Sequence, residues 1–161
     1  MPNWFLGKIR YQQPVDDATV GTRNEEFAKQ KNVTEAYLID AVSYTDAETR
    51  LYEEVAANTP EFEIVGITRM KLADVLQVED GGDVWYKVKA VFITESEKTG
   101  KQKRHATAIL INALTPKQAY ELVEASLKSS LDPFEITDVN VTKILDIFPY
   151  IKKPNEGTGE N

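Results

Sequence analysis

Phe62, Glu63 and Ile64 recur as Phe134, Glu135 and Ile136, a spacing of 72 residues, and no other feature restricts the folding of this sequence as much. At the same spacing Ile67 meets Val139, Lys71 meets Lys143, Leu72 meets Ile144, Asp74 meets Asp146 and Val75 meets Ile147, while Asp40 and Ala41 meet Asn112 and Ala113. A second pair of segments matches upstream, Trp4 to Tyr11 (WFLGKIRY) with Trp85 to Phe92 (WYKVKAVF). The chain therefore reads as a tandem duplication of a β-β-α-β unit. A unit with one helix covers only one face of its strands and needs its twin for the other. The expected assembly is α+β: one compact pseudo-twofold domain on an antiparallel-rich six-stranded sheet or partial barrel, with two helices on one side. Two separate small sheets are the alternative.

The first repeat spans 1–76, a link 77–84, the second repeat 85–150, and 151–161 reads as a flexible tail. Within the first repeat, 12–30 is polar, mixed in charge and without period, which predicts a mobile loop. Alternation places Phe5, Ile9 and Tyr11 on one face of the first strand, and Val33, Tyr37, Ile39 and Ala41 on one face of the second. Thr45 with Glu48 forms the pattern of a capping box, and a helix burying Ala47, Leu51 and Val55 follows until Pro60. Thr115 with Gln118 repeats that box before a helix burying Ala119, Leu122, Val123 and Leu127, with a two-residue contraction between the two caps. Gly66 suggests a bulge in the third strand. Gly100 supplies the positive φ expected in a hairpin turn over Glu95 to Lys101.

Of 161 residues 42% are hydrophobic, enough for a real core. A net charge of −7 argues against a broad basic footprint for duplex DNA or membrane. The absence of cysteine removes disulfides and thiolate chemistry. The N-terminal residues lack the pattern of a signal peptide and no segment is apolar enough to span a bilayer, so a cytoplasmic location is expected.

Nothing in the pattern points to an enzyme, a metal or a cofactor. His105 is the only histidine, which rules out a two-histidine metal site in one subunit, and a half-exposed strand position accounts for it. Asp74 and Asp146 recur, but a turn or cap closing each third strand explains them. No glycine-rich phosphate loop, nucleophile elbow or HExxH is present. What stands out is the outward face of the matched strands, which carries Trp4, Leu6, Lys8 and Arg10 in one copy and Trp85, Lys87, Lys89 and Val91 in the other. Lys101, Lys103 and Arg104 flank the second on a hairpin. Aromatic rings that stack bases beside cations that follow phosphates are the chemistry of single-stranded nucleic-acid binding. Tryptophans that cover a core edge, and lysines that keep a sheet face in water, are the structural alternative.

At WFLGKIRY, VTEAYLIDAVSYTDAE, GKQKR and FPY the sequence resembles a family of small proteins of unknown function from Bacteroidetes, their phages and mobile elements. The resemblance brings no catalytic residues. It implies a setting in which DNA replication and recombination accessories are frequent. With the aromatic and basic strand face, the expectation is a non-enzymatic accessory protein for single-stranded nucleic acid, in the host cytoplasm if phage-encoded, and a homo-oligomer. A protein-interaction or assembly module using the same tryptophans as an interface is the alternative. A small-molecule-binding pseudo-twofold fold would need a pocket that the sequence does not display.

Overall fold

The structure, a computed structural model, describes residues 3–14, 30–59 and 61–149. In chain order the elements are β1 (Trp4–Pro14), β2 (Gln30–Asp40), α1 (Tyr44–Ala56), β3 (Glu63–Met70), β4 (Asp74–Leu76), β5 (Val84–Glu95), β6 (Gln102–Ala113), α2 (Pro116–Leu127), β7 (Phe134–Val141) and β8 (Ile144–Phe148). This is a mixed α+β fold. The expected single six-stranded sheet is not formed; the strands make two four-stranded sheets, ordered β3-β1-β2-β8 and β4-β6-β5-β7. The chain divides into two compact units, Lys71–Asp146 and the remainder on either side of it.

The two sheets follow one plan. In the first, β1 lies antiparallel between β2 and β3, with Trp4 opposite Asp40; in the second, β5 lies antiparallel between β6 and β7, with Trp85 opposite Asn112. The register of β3 slips between Lys8 and Ile9, leaving Val65 as the extra residue, and that of β7 slips between Lys89 and Ala90, leaving Thr137. The bulge expected beside Gly66 is therefore present, and present twice. The short strands β4 and β8 correct the reading of Asp74 and Asp146: the repeated segment does not close a third strand with a turn but forms a fourth strand. β4 runs parallel to β6, with Asp74 opposite Ile109.

Each helix covers one face of its own sheet. Ala47, Leu51 and Val55 of α1 pack on Phe5, Ile9, Ile39 and Ala41, and Ala119 and Val123 of α2 pack on Tyr86, Val88, Ile109 and Ile111. Both apolar stripes follow from helical spacing. The start of α1 differs from expectation. Ser43, not Thr45, is the N-cap: its Oγ accepts from the Asp46 N–H at 3.1 Å, and an Asp46 carboxylate oxygen accepts from the Val42 N–H at 3.0 Å. Thr115 caps α2 in the same way, with Gln118 reaching back to the Leu114 N–H. Ser43 and Thr115 are 72 residues apart, so the two-residue contraction disappears.

The predicted loop over 12–30 is also shorter at both ends, because Gln12, Gln13 and Pro14 pair with Asn32, Lys31 and Gln30 in the β1–β2 ladder. Its remainder, Pro60 and the tail from residue 151 lie outside the described residues. The segment 77–84 is no plain linker. Asn112, buried on β6, accepts from the Val78 N–H at 2.6 Å and donates to the carbonyls of Val78 and Gly82 at 2.8 and 3.0 Å, closing a turn in which Gly82 has φ +91°. The hairpin between β5 and β6 forms as expected, with Gly100 at φ +69°.

One exchange of volume distinguishes the two cores. A Cβ on Gly7 would lie 2.6 Å from Leu51 Cδ2 and 2.9 Å from Ile39 Cδ1. The corresponding strand and helix residues of the second unit are Val88 and Val123, so the bulk that α1 supplies through Leu51 is shared with the strand there. Gly7→Val alone should cost about 1–3 kcal/mol by overpacking, and adding Leu51→Val should recover most of it. Urea denaturation of the two single variants and the double variant measures the coupling. Strictly additive losses would rule out the exchange.

Candidate functional site

The outward face does not hold what its sequence suggested. Trp4 is 9% exposed and Trp85 4%, and their neighbours Leu38 and Leu110 on that face are fully buried. Aromatic rings so enclosed offer no free face to a base, which corrects the expectation that Trp4 and Trp85 are stacking platforms. The central strands are instead buried on both faces near their starts, the structural alternative weighed above.

The cations stay outside, but several have carboxylates beside them. Arg10 donates to Glu63 on the neighbouring strand, through Nε at 3.0 Å and through Nη2, and Arg104 donates to Glu135. Lys89 stands opposite Asp138 in the β5–β7 register. Exposed pairs of this kind contribute roughly 0–1 kcal/mol each, and they lower the local positive potential. Lys8, Lys87, Lys89, Lys101 and Lys103 are solvent-exposed. His105 is exposed on β6 with its Nε2 3.3 Å from the Thr94 hydroxyl, in keeping with an ordinary strand histidine.

On the helix side of the first sheet, Glu35 accepts from both Tyr11 and Tyr37 hydroxyls, at 2.7 and 2.8 Å. The Tyr11 hydroxyl titrates above the ordinary tyrosine value because Glu35 holds its proton, with burial and the carboxylate charge acting in the same direction. It is a hydrogen-bond donor and no candidate nucleophile. Thr107 replaces Glu35 in the second unit and binds the Ala90 carbonyl, so this trio belongs to one unit alone. Among the described residues no group of three or more His, Cys, Asp or Glu could hold a metal ion, and no helix is long and apolar enough to cross a membrane.

The feature that sequence reasoning passed over lies between α1 and β3. There an open groove of about 310 Å³ is lined by Tyr44 and Glu48 from the helix and by Ile64, Val65, Gly66 and Ile67 from the strand. Tyr44 is 56% exposed yet stands edge-on against the core ring Phe5, with centroids 4.9 Å apart; Tyr52 is 57% exposed and leans on Phe62 at 5.1 Å. Val65 is 44% exposed at the bulge. A signal was present in the repeat itself: at 72 residues' distance Tyr44, Tyr52, Val65 and Gly66 correspond to Pro116, Glu124, Thr137 and Asp138.

Two helix-backed sheets, the first with an open groove beside its outer strand β3, define a small α+β protein. The chain belongs to the family described as a domain of unknown function, DUF4494, whose model matches residues 3–150. No curated protein and no solved structure matches it. The family match covers both repeats and carries no assignment to phages or to DNA.

Proposed function

We propose that this protein is a non-enzymatic protein-interaction module, assembled by internal duplication, in which the first unit carries the partner-binding surface. One observation carries the reading: Tyr44, Tyr52 and Val65 are exposed on the first unit where the second, built to the same plan, has Pro116, Glu124 and Thr137. The shared fold has no need of those apolar groups. Tyrosines seated on other rings, Tyr44 on Phe5 and Tyr52 on Phe62, are large anchors that lose little freedom on binding, the character of interface hot spots. The reading keeps the interaction-module alternative but moves it away from the tryptophans.

A photo-crosslinking amino acid at position 52, against one at 124, tests this in the native cells. A defined protein adduct is expected from 52 only, and Tyr52→Glu should weaken the isolated pair at least tenfold, about 1.4 kcal/mol. Equal labelling at both positions would sink the reading.

Single-stranded nucleic acid is a second reading, supported by the exposed Lys87, Lys89, Lys101 and Lys103. Without stacking it would rest on phosphate contacts and be strongly salt-dependent. A labelled oligonucleotide that stays free at about 50 mM salt removes it.

A further inference from the structure

β3 is an outer strand, paired only with β1 among the described residues, so one row of its backbone N–H and C=O groups has no strand beside it. Outer strands are ordinarily kept from pairing with foreign chains by charged side chains. β7, the equivalent outer strand, follows that rule: Asp138 sits opposite Lys89 just after the bulge, where its carboxylate accepts from the Thr137 hydroxyl at 3.0 Å. β3 does not. Gly66 takes the place of Asp138 opposite Lys8, Val65 takes the place of Thr137, and no charge occurs from Ile64 to Thr68.

Resting on the interaction-module reading, we infer that β3 takes up an extended, basic segment of a partner protein as an added strand. Its backbone would pair with Ile64 to Thr68, and every second side chain would enter the groove between α1 and β3. Such binding draws affinity from main-chain hydrogen bonds and selectivity from side-chain pockets. The charge around the groove names the occupant. Glu48 is the one ionisable residue of the groove lining besides Tyr44, and α1 as a whole carries Asp46, Glu48, Glu53 and Glu54 against a single cation. The one cation of α1, Arg50, is directed to the carbonyls of Asp40, Phe148 and Pro149. A second copy of this chain would bring Glu48 towards Glu48 and one net charge of −7 towards another, so a segment alternating apolar with basic residues fits better.

Gly66→Asp makes the test clean. A Cβ at Gly66 meets nothing within 4 Å, and aspartate is what the second unit carries at that place, so the variant should fold. The probe is a short dye-labelled peptide alternating valine with lysine, set against one alternating valine with glutamate, both titrated into the full chain by fluorescence anisotropy with amide chemical shifts recorded in parallel. The lysine peptide is expected to bind and to shift the amides of Ile64 to Thr68, with at least tenfold loss in Gly66→Asp and in Glu48→Lys, and the glutamate peptide to stay free. Binding unchanged in Gly66→Asp, preference for the glutamate peptide, or shifts confined to β7 would overturn the inference. So would a concentration-dependent dimer that Gly66→Asp abolishes, since β3 would then pair with itself. If the peptide fails while cross-linking at position 52 remains specific, the module stands and only strand addition falls; if both fail, the groove binds no protein.

Discussion

Trp85→Ala should lower the free energy of unfolding by about 3–5 kcal/mol, the range for truncating a buried large aromatic. Trp85 is 4% exposed, begins β5 opposite Asn112, and lies on the sheet face turned away from α2. Removing its indole forfeits the transfer of a large apolar surface from water and leaves a cavity that β5 cannot move to close, because its backbone is held on both sides by β6 and β7. Trp4→Ala should act in the same direction on the first sheet. A surface role predicts the reverse, a change within about 0.5 kcal/mol and an effect on binding alone. Urea denaturation followed by circular dichroism separates the two, and Trp85→Phe, which keeps much of the volume, should lie between. A Trp85→Ala variant as stable as the parent would place the ring in solvent.

The second large loss is expected at Asn112. It is the one buried polar side chain among the described residues, and its amide makes all three of its bonds to the turn before β5. Asn112→Leu nearly conserves volume but takes the side-chain partner from the Val78 N–H and the Gly82 carbonyl in a half-buried turn, while the Val78 carbonyl still accepts from the Gly81 N–H at 3.1 Å. At about 1–3 kcal/mol for each group left without a partner, and with water reaching part of the turn, the total should be about 2–4 kcal/mol. Gly81→Ala attacks the same turn from the other side, because its Cβ would lie 2.6 Å from the Asn112 carbonyl oxygen and 2.8 Å from Val78 Cβ. Backbone cannot step aside as a side-chain tip can. Hydrogen exchange should show the amides of 78–84 losing protection in both variants while those of β1 and β2 keep theirs. Global unfolding without that local signature would mean the turn is not held through Asn112.

The elements themselves were legible. Period-two alternation in β1, β2, β5 and β6 and helical spacing of Leu51 and Val55 or Ala119 and Val123 are local patterns, set by how the backbone presents side chains. So were the bulge by Gly66 and the turn at Gly100. Two elements were hidden in plain view, since β4 and β8 are too short to announce a strand by alternation, though their sequences repeat. The cap of α1 was misplaced because Ser43 and Thr45 both precede an acidic residue by three positions, and only the backbone shows which is extended.

The candidate site was hardly legible. Trp4 and Lys8 share a strand face, and alternation says so, but whether that face meets water depends on what covers it, a matter of contacts between segments far apart in sequence. Tyr44 and Val65 show the converse, since each looks like a core residue until the groove beside β3 is seen. Taken alone, the order of residues determined the repeated unit, its strand and helix content and the side of each strand that its own helix covers, because these follow from spacings of a few residues. The tertiary structure alone decided that four strands and not six form a sheet, that the indoles lie inside, and that the charge-free stretch from Ile64 to Thr68 falls on an outer strand beside a groove, because burial and edge exposure belong to the assembled sheets and to no single stretch of chain.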